Sequence, residues 1–326
     1  MKVLVADKLE AVAVQGLAEL GAELISEPDL AGDTLVRAAA DNKPDVVIVR
    51  STKVPAEVQA AAGGSLRLII RAGAGTDNID KDAAASAGIA VCNCPGPNAV
   101  AVAELTMGHL IGLDRFLPEQ DAELKSGRWN KKRYAAARGL KGRSLVVIGT
   151  GAIGLEVIKR AKAFDMRVAA QSRSLTRSMA EALGVGWIPF TREALLEALP
   201  GFDAVSMHVA VVDETRGMCD ERFFAAMKDG AFFINTARGG VVSDGALIDA
   251  LRAGRVRAAL DVFNDQPADK SADWACPYAD VPGVVLSHHN GASTEQAQLA
   301  VAEEVVRIAQ IYRDEGRFEH CVNGVG

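Results

Sequence analysis

Three short stretches in the C-terminal half of this chain carry residue types that could do chemistry together. "INTARGGVV" holds Arg238, a planar cation able to grip a carboxylate at two points. "LDVFNDQP" holds Asp261 and Gln266. "VVLSHHNGAST" holds His288 and His289, and an imidazole can give or take a proton near neutral pH. Each stretch follows a short apolar run that reads as a strand. The polar residues therefore fall at strand carboxyl ends, where open α/β sheets bind ligands.

A fourth stretch, "SLVVIGTGAIGLEVIKRAKAF", spells G-x-G-x-x-G at Gly149, Gly151 and Gly154, between an apolar strand and a helix. The first glycine permits a tight turn, the second a close approach of a pyrophosphate, and the third close packing of helix on strand. The free N–H groups of the helix start would face the phosphates. The next strand ends "VAAQSRSLTR". Sites for NAD usually place Asp or Glu there, yet Met166 to Ala180 contain no acid. Ser172 stands at the expected acid position, with Arg173, Ser174 and Arg177 behind it. Arginine and serine would welcome a 2′-phosphate that a carboxylate would repel, so the pattern predicts a preference for NADP over NAD, with NAD use remaining possible.

The elements that must position these residues alternate. "KVLVAD", "AELISEP", "PDVVIVR", "LRLIIRAG" and "GIAVCNCP" read as buried strands separated by helices, which implies a parallel sheet. "NCPGPNAV" breaks the pattern, and Asn98 is placed to cap the long helix that follows. "ELKSGRWNKKRYAAARGLKGR" reads as basic and irregular. A second α/β series starts at "SLVVIG", runs through "MRVAAQSR", "GWIPF", "DAVSMHV", "AFFINTARG", "RAALDVF" and "GVVLSHHN", and closes on a helix from "GASTEQAQ". The expected fold is α/β, with two doubly wound parallel-sheet domains that part near Asn98.

Bulk properties agree with that class. At about 150 residues per domain, 326 residues suggest two domains. The hydrophobic share of 49% and the charged share of 24% suit a globular chain. A net charge of −6 argues against nucleic acid or an anionic membrane as partner. Neither a secretory leader nor an apolar run of spanning length is evident, so a cytoplasmic protein is expected. The 5 cysteines lack CxxC pairing, and Cys92 and Cys94 read as buried reduced thiols on a strand. No metal site is expected.

"VRSTKV", "RAGAGTDNID", "CPGPNAVAVAELT", "SGRWNKKRY", "GTGAIG", "NTARGGVV", "LDVF" and "HNGAST" together make the chain resemble the D-isomer-specific 2-hydroxyacid dehydrogenases, in particular the short-type D-3-phosphoglycerate dehydrogenases. That resemblance implies two flavodoxin/Rossmann-like domains with a cleft between them, a discontinuous substrate-binding domain of residues 1–98 and 292–326 and a dinucleotide-binding domain of residues 99–291. It also implies hydride transfer between a nicotinamide cofactor and a small D-2-hydroxy or 2-keto acid. Arg238 would hold the substrate's carboxylate and 2-oxygen, and His289 would be the general acid/base. Asp261 would hold the nicotinamide carboxamide. Gly149, Gly151, Ala152, Ile153, Gly154, Ser172, Arg173, Ser174, Arg177, His208, Thr236, Ala237 and Gly291 would complete the cofactor site. Arg50, Ser51, Arg71, the amides of Ala72, Gly73, Ala74 and Gly75 with Thr76, and the hinge residue Asn98 would receive the substrate. The resemblance further implies a homodimer in which the basic loop of Arg128, Lys131, Lys132 and Arg133 reaches toward the partner's cleft. With Arg50, Lys53 and Arg71 these charges could hold a second anion such as phosphate, or form only a solvated basic rim.

Gln266 departs from the family, which places Glu before this proline. A carboxylate there stabilises the imidazolium of the catalytic histidine, whereas Gln can orient the ring without supporting its charge. Reduction of a keto acid would then shift to lower pH. Asp265 could rotate into the acid role instead. Formate dehydrogenases of the same kinship also carry Gln in "QP", so formate-type hydride transfer is one alternative. A nucleotide-sensing binding protein of the corepressor type is another.

Overall fold

The computed structural model describes residues 1–267 and 271–325, and the chain divides into two compact units, 1–98 with 293–326, and 99–292. The first unit begins with β1 (Lys2–Val5), α1 (Ala11–Glu19), β2 (Glu23–Ser26), α2 (Asp33–Asn42), β3 (Val46–Val49), α3 (Ala56–Ala61), β4 (Leu68–Arg71), α4 (Lys81–Ser86) and β5 (Ala90–Asn93). Its five strands are all parallel, in the order β2-β1-β3-β4-β5, a doubly wound arrangement. β3 reads Val-Val-Ile-Val and is buried at every position, because helices cover both faces.

The second unit contains α5 (Ala99–Arg115), α6 (Leu117–Lys125), α7 (Lys131–Tyr134), β6 (Ser144–Ile148), α8 (Ala152–Ala163), β7 (Arg167–Gln171), α9 (Arg177–Leu183), β8 (Gly186–Trp187), α10 (Arg192–Ala198), β9 (Ala204–Met207), α11 (Glu221–Ala226), β10 (Ala231–Asn235), α12 (Asp244–Arg252), β11 (Val256–Leu260) and β12 (Val284–Leu286). Its seven strands are parallel in the order β12-β11-β10-β9-β6-β7-β8. The order reverses between β6 and β9, so the crevice outside their carboxyl ends is the expected ligand position. One face of this sheet is packed by edge-on contacts among Phe223, Phe224 and Phe233, with centroids 5.2 to 6.0 Å apart. α5 and α8 cover the other face.

The chain then returns to the first unit as α13 (Glu295–Glu315), which packs on α1. Gly16 makes that approach possible, since a Cβ there would lie 2.8 Å from a methyl of Val306. Thr294 starts α13 by accepting from the Ala297 amide.

Two local expectations differ from the structure. Asn98 does not cap α5 with its side-chain oxygen, which is buried without a hydrogen-bond partner. The basic segment is not wholly irregular: α6 covers its first residues and Asn130 caps the single turn of α7 by accepting from Arg133 N. Periodicity is weak in so short and charged a stretch, and here the cap decides. Among the described residues no cluster of His, Cys, Asp and Glu could hold a metal, and no helix is long and apolar enough to cross a membrane.

Asp203, 4% exposed at the start of β9, ties the second sheet together. It accepts from the Ser144 amide (3.0 Å) and hydroxyl (3.1 Å), from Lys228 Nζ (2.7 Å) and from Arg138 (3.1 Å). Burial pushes its carboxyl up, but Lys228 and Ser144 outweigh that and hold it well below the usual range. A depressed carboxyl adds stability above its unfolded value and loses it as pH falls through the folded one. Asp203→Ala should therefore lower the unfolding free energy by about 2–3 kcal/mol at pH 7. The deficit, read from urea midpoints, should shrink once the pH drops below about 4.

Candidate active site

Arg238 stands three residues past β10 because Asn235 shapes the turn that carries it. Asn235 is fully buried; its Oδ1 accepts from Ala237 N at 3.0 Å and its Nδ2 donates to the Arg238 carbonyl at 2.9 Å. That side chain closes the turn as a backbone group would. Thr236 is secured to α5 by a 3.0 Å hydroxyl pair with Thr106, whose own hydroxyl donates to Val102 O. Arg238 is half-buried, and one guanidinium N–H donates to the Ala237 carbonyl at 2.7 Å. Gly239 brings this turn against the segment after β11: a Cβ there would fall 2.1 Å from the Phe263 carbonyl carbon, so only glycine fits.

Asp261, 1% exposed, anchors the histidine loop. Its Oδ1 accepts from Ser287 Oγ at 2.6 Å and from Asn290 N at 3.1 Å, and its Oδ2 accepts from Gly291 N at 2.9 Å. Because the Ser287 proton goes to Asp261, the 3.1 Å contact between Ser287 Oγ and His109 Nε2 must have the histidine as donor. Burial lowers the His109 pKa, with Asp261 pulling the other way, so the ring sits neutral behind the serine. His289 lies between two of these anchored positions and adopts φ 49°, the left-handed region. That conformation costs roughly 1–2 kcal/mol, less than the charge-assisted bonds to Asp261, each worth about 1.5–3 kcal/mol.

Gln266 reaches this histidine directly, with Nε2 2.6 Å from His289 Nδ1. Its Oε1 accepts from Phe263 N at 3.2 Å. A backbone N–H can only donate, so the amide oxygen must face Phe263 and the NH2 must face the ring. Nδ1 is then an acceptor. The neutral ring carries its proton on Nε2, and an imidazolium would set Nδ1–H against the amide N–H. Asp265 is exposed with φ 50°, and His288 is exposed.

At the switch point of the sheet, the three glycines of the turn have different reasons to be glycine. Gly149 has φ 97°, and a Cβ would meet the His208 carbonyl oxygen at 2.2 Å. Gly154 would bring its Cβ 2.0 Å from the Gly149 oxygen. Gly151 differs: among the described residues nothing lies within 4 Å of its missing Cβ. It is the N-cap of the 12-residue α8, without a side-chain cap, and Ala152 and Ile153 open the helix. Beside Gly149, His208 is half-buried; burial pushes its pKa down to about 3, Nε2 lies 2.8 Å from Ser206 Oγ, and Nδ1 is buried without a partner. Open space at an uncapped helix start and an orphaned buried ring nitrogen both fit a phosphate-bearing ligand.

After β7, Ser172, Arg173 and Ser174 form a turn closed by Leu175 N donating to Ser172 O, and Arg173 and Ser174 are exposed. Arg177 is engaged elsewhere, lying 4.8 Å over the Trp187 ring.

In the first unit, Asp7 organises the loop after β3. It accepts from the amides of Arg50 (2.7 Å), Ser51 (3.1 Å) and Thr52 (3.0 Å) and from the Ser51 hydroxyl. Burial pushes the Asp7 carboxyl up, but the Arg50 and Thr52 amides prevail and hold it low. Arg50 also reaches Gln298 Oε1 at 3.4 Å. Past β4, the Arg71 guanidinium crosses Gly73, where a Cβ would lie 1.7 Å from it. The amides of Ala72 and Gly73 donate to Val49 O and Arg71 O, so any anion nest in this turn starts at Ala74, with Gly75 and Thr76. Among the residues of the basic loop, Arg128 and Arg133 pair with Glu123 at 3.7 and 3.6 Å.

Reasoning from sequence missed Asn235, Ser287, His109 and Phe263. The first two stand at strand ends within the quoted motifs and could have been found there. His109 lies on α5, more than 150 residues from Ser287, and Phe263 acts through its backbone; neither leaves a local signal.

Comparisons with known proteins agree with this layout. Residues 107–291 match the NAD binding domain of the D-isomer specific 2-hydroxyacid dehydrogenases. The chain is 38% identical over 314 residues to the D-3-phosphoglycerate dehydrogenase of Methanocaldococcus jannaschii, covering 94% of this chain and 57% of that protein, so it spans little more than half the length of that relative. It superposes with a TM-score of 0.82 and 26% identity on an NADPH-dependent glyoxylate/hydroxypyruvate reductase from Sinorhizobium meliloti in complex with NADP and malonate, covering 99% and 97% of the two chains. It superposes with a TM-score of 0.81 and 25% identity on an NAD-dependent formate dehydrogenase from Staphylococcus aureus in complex with NAD, covering 98% and 97%. With its matching domain extending over more than half its length, this chain belongs to the D-isomer specific 2-hydroxyacid dehydrogenase family.

Proposed function

We propose that this protein is a cytoplasmic, homodimeric NAD(P)-dependent dehydrogenase acting on a small D-2-hydroxy or 2-keto acid, with residues 1–98 and 293–326 receiving the substrate. The observation that carries this reading is the Gln266–His289 contact beside an Asp261-anchored loop. It places an oriented imidazole in the unit that carries the G-x-G-x-x-G turn and Arg238. The nicotinamide, when bound, accepts or delivers the hydride. Gly149, Gly151 and Gly154 with Ala152, Ile153 and His208 would hold the phosphates; Thr236, Ala237, Gly291 and Asp261 would hold the nicotinamide end. Arg238 would grip the substrate carboxylate. Asp261 already accepts three hydrogen bonds, so its first task is to fix the His289 backbone. Ser172 and Arg173 at the end of β7 favour the 2′-phosphate of NADP.

His289 would hold the substrate 2-oxygen through Nε2. Protonating that oxygen in reduction needs an imidazolium, which the Gln266 N–H opposes. A neutral Nε2–H is a good hydrogen-bond donor to an anionic oxygen, and this favours a second reading, formate-type hydride transfer, in which no hydroxyl proton is removed.

A panel of glyoxylate, hydroxypyruvate, 3-phosphohydroxypyruvate and formate, each assayed with both cofactors, tests the reading. Turnover of a keto acid with higher kcat/KM for NADPH is expected. Formate oxidation alone would shift the assignment to the second reading, and a clear NADH preference would remove the NADP part.

Gln266→Glu would turn the partner of Nδ1 into an acceptor that stabilises the imidazolium. The pH limit for keto-acid reduction should move upward by about one unit, and an unchanged pH profile would contradict the role given to Gln266. The glycines supply a separate check. Gly151→Ala should leave the melting temperature nearly unchanged while weakening nucleotide binding at least tenfold, about 1.4 kcal/mol. Gly149→Ala, strained by positive φ and a backbone clash, should lower the melting temperature by several degrees.

A further inference from the structure

No acid stands at the end of β7, but one from another part of the second unit pairs with Arg173 there. Arg173 follows β7 by two residues, and Gln171, the last residue of β7, accepts from the Gly149 amide at 2.8 Å, so Arg173 stands next to the glycine turn. Its guanidinium donates to Glu214 Oε1 at 3.1 Å, from the loop between β9 and α11. The loop that presents Glu214 is built, not loose. Thr215, 7% exposed, accepts from Val212 N at 2.8 Å and donates to Ala210 O at 2.6 Å, and Arg216 N donates back to Val212 O. Arg173 also lies 5.8 Å over the Phe190 ring. Arg177 is held against Trp187, so Arg173 is the cation of this corner whose partner can be exchanged.

We infer that Glu214 is a specificity-determining residue that competes with a 2′-phosphate for Arg173 and so restrains the cofactor preference set by Ser172 and Arg173. The inference rests on the nicotinamide-nucleotide reading above. A ligand with a free ribose 2′-hydroxyl can donate to the Glu214 carboxylate and leaves the ion pair in place. A 2′-phosphate must take Arg173 from Glu214 and then tolerate a carboxylate beside a dianion. The phosphate carries the greater charge and can win that exchange, but at reduced affinity. The side chains of the pair are 65% and 64% exposed, so the effect is one of degree and screened by salt.

The test is direct binding, by isothermal titration calorimetry at low salt, of adenosine 2′,5′-bisphosphate and adenosine 5′-monophosphate. The proteins are the full chain, Glu214→Gln, Arg173→Ala and the double variant, with melting temperatures to confirm folding. Glu214→Gln should raise the affinity ratio of bisphosphate over monophosphate by about three- to fivefold. Arg173→Ala should reduce the ratio, and the double variant should show no gain over Arg173→Ala. If Glu214→Gln leaves the ratio unchanged while Arg173→Ala lowers it, Glu214 has no part in selection although the reading of the β7 end stands. If neither substitution moves the ratio, the nucleotide does not sit at this corner and both ideas fall.

Discussion

The carboxylate of Asp261 is the constraint on which the candidate site around His289 depends. It is almost fully buried at the end of β11 and accepts from the backbone on the far side of His289 and from Ser287 on the near side. An ionised carboxylate removed from water must be satisfied on every side, and here the histidine loop satisfies it. The loop is therefore not free to choose its conformation. His289 accepts a left-handed backbone because three bonds to a buried charge outweigh one unfavourable φ. His109, neutral behind Ser287, extends the anchor into α5.

With the backbone held, one amide decides how the ring can be protonated. Gln266 is itself constrained, since Phe263 N–H claims its oxygen and leaves its nitrogen facing Nδ1. A glutamate in that place would accept from Nδ1–H and favour the charged ring; this glutamine donates and favours the neutral one. The substitution thus changes the sense of a hydrogen bond as well as removing a charge. The glycine turn after β6 shows a similar division of labour among identical residues. Gly149 and Gly154 are required by the chain's own backbone, while no described residue comes near enough to Gly151 to require it.

Much of this was legible in the residues alone. Short apolar runs punctuated by helices mark the strands, most plainly β3 and β6, because a strand covered on two faces must be apolar on both, and least plainly β8, which is only Gly186–Trp187. The candidate site residues were legible for a related reason: Asp261 directly follows β11, Arg238 and His289 stand three residues past β10 and β12, and Gln266 six residues past β11. Boundaries set by single side chains were harder. Asn98 looked like a helix cap, yet its oxygen takes no proton, and the basic stretch after α5 holds a helical turn that Asn130 nucleates. The expected nest after β4 lost two of its amides, one to the end of β3 and one to the Arg71 carbonyl, which no local pattern announces.

The sequence by itself determined the two parallel α/β units, the glycine turn at a strand-to-helix junction and the presence of an amide, Gln266, directly before Pro267. These follow from residue type and spacing along one segment, where the physics is local: periodic burial, positive φ, the reach of a side chain within its own turn. Only the tertiary structure decided that Gln266 donates to the ring, that Asp261 is an anchor before it is a ligand group, and that Arg173 meets Glu214. Each of those depends on partners brought together from 23 to 41 residues apart, or on a backbone donor with no identity of its own in the sequence. Hydrogen-bond direction and charge pairing are set by what faces a group in space, and that is fixed only once the strands have been ordered.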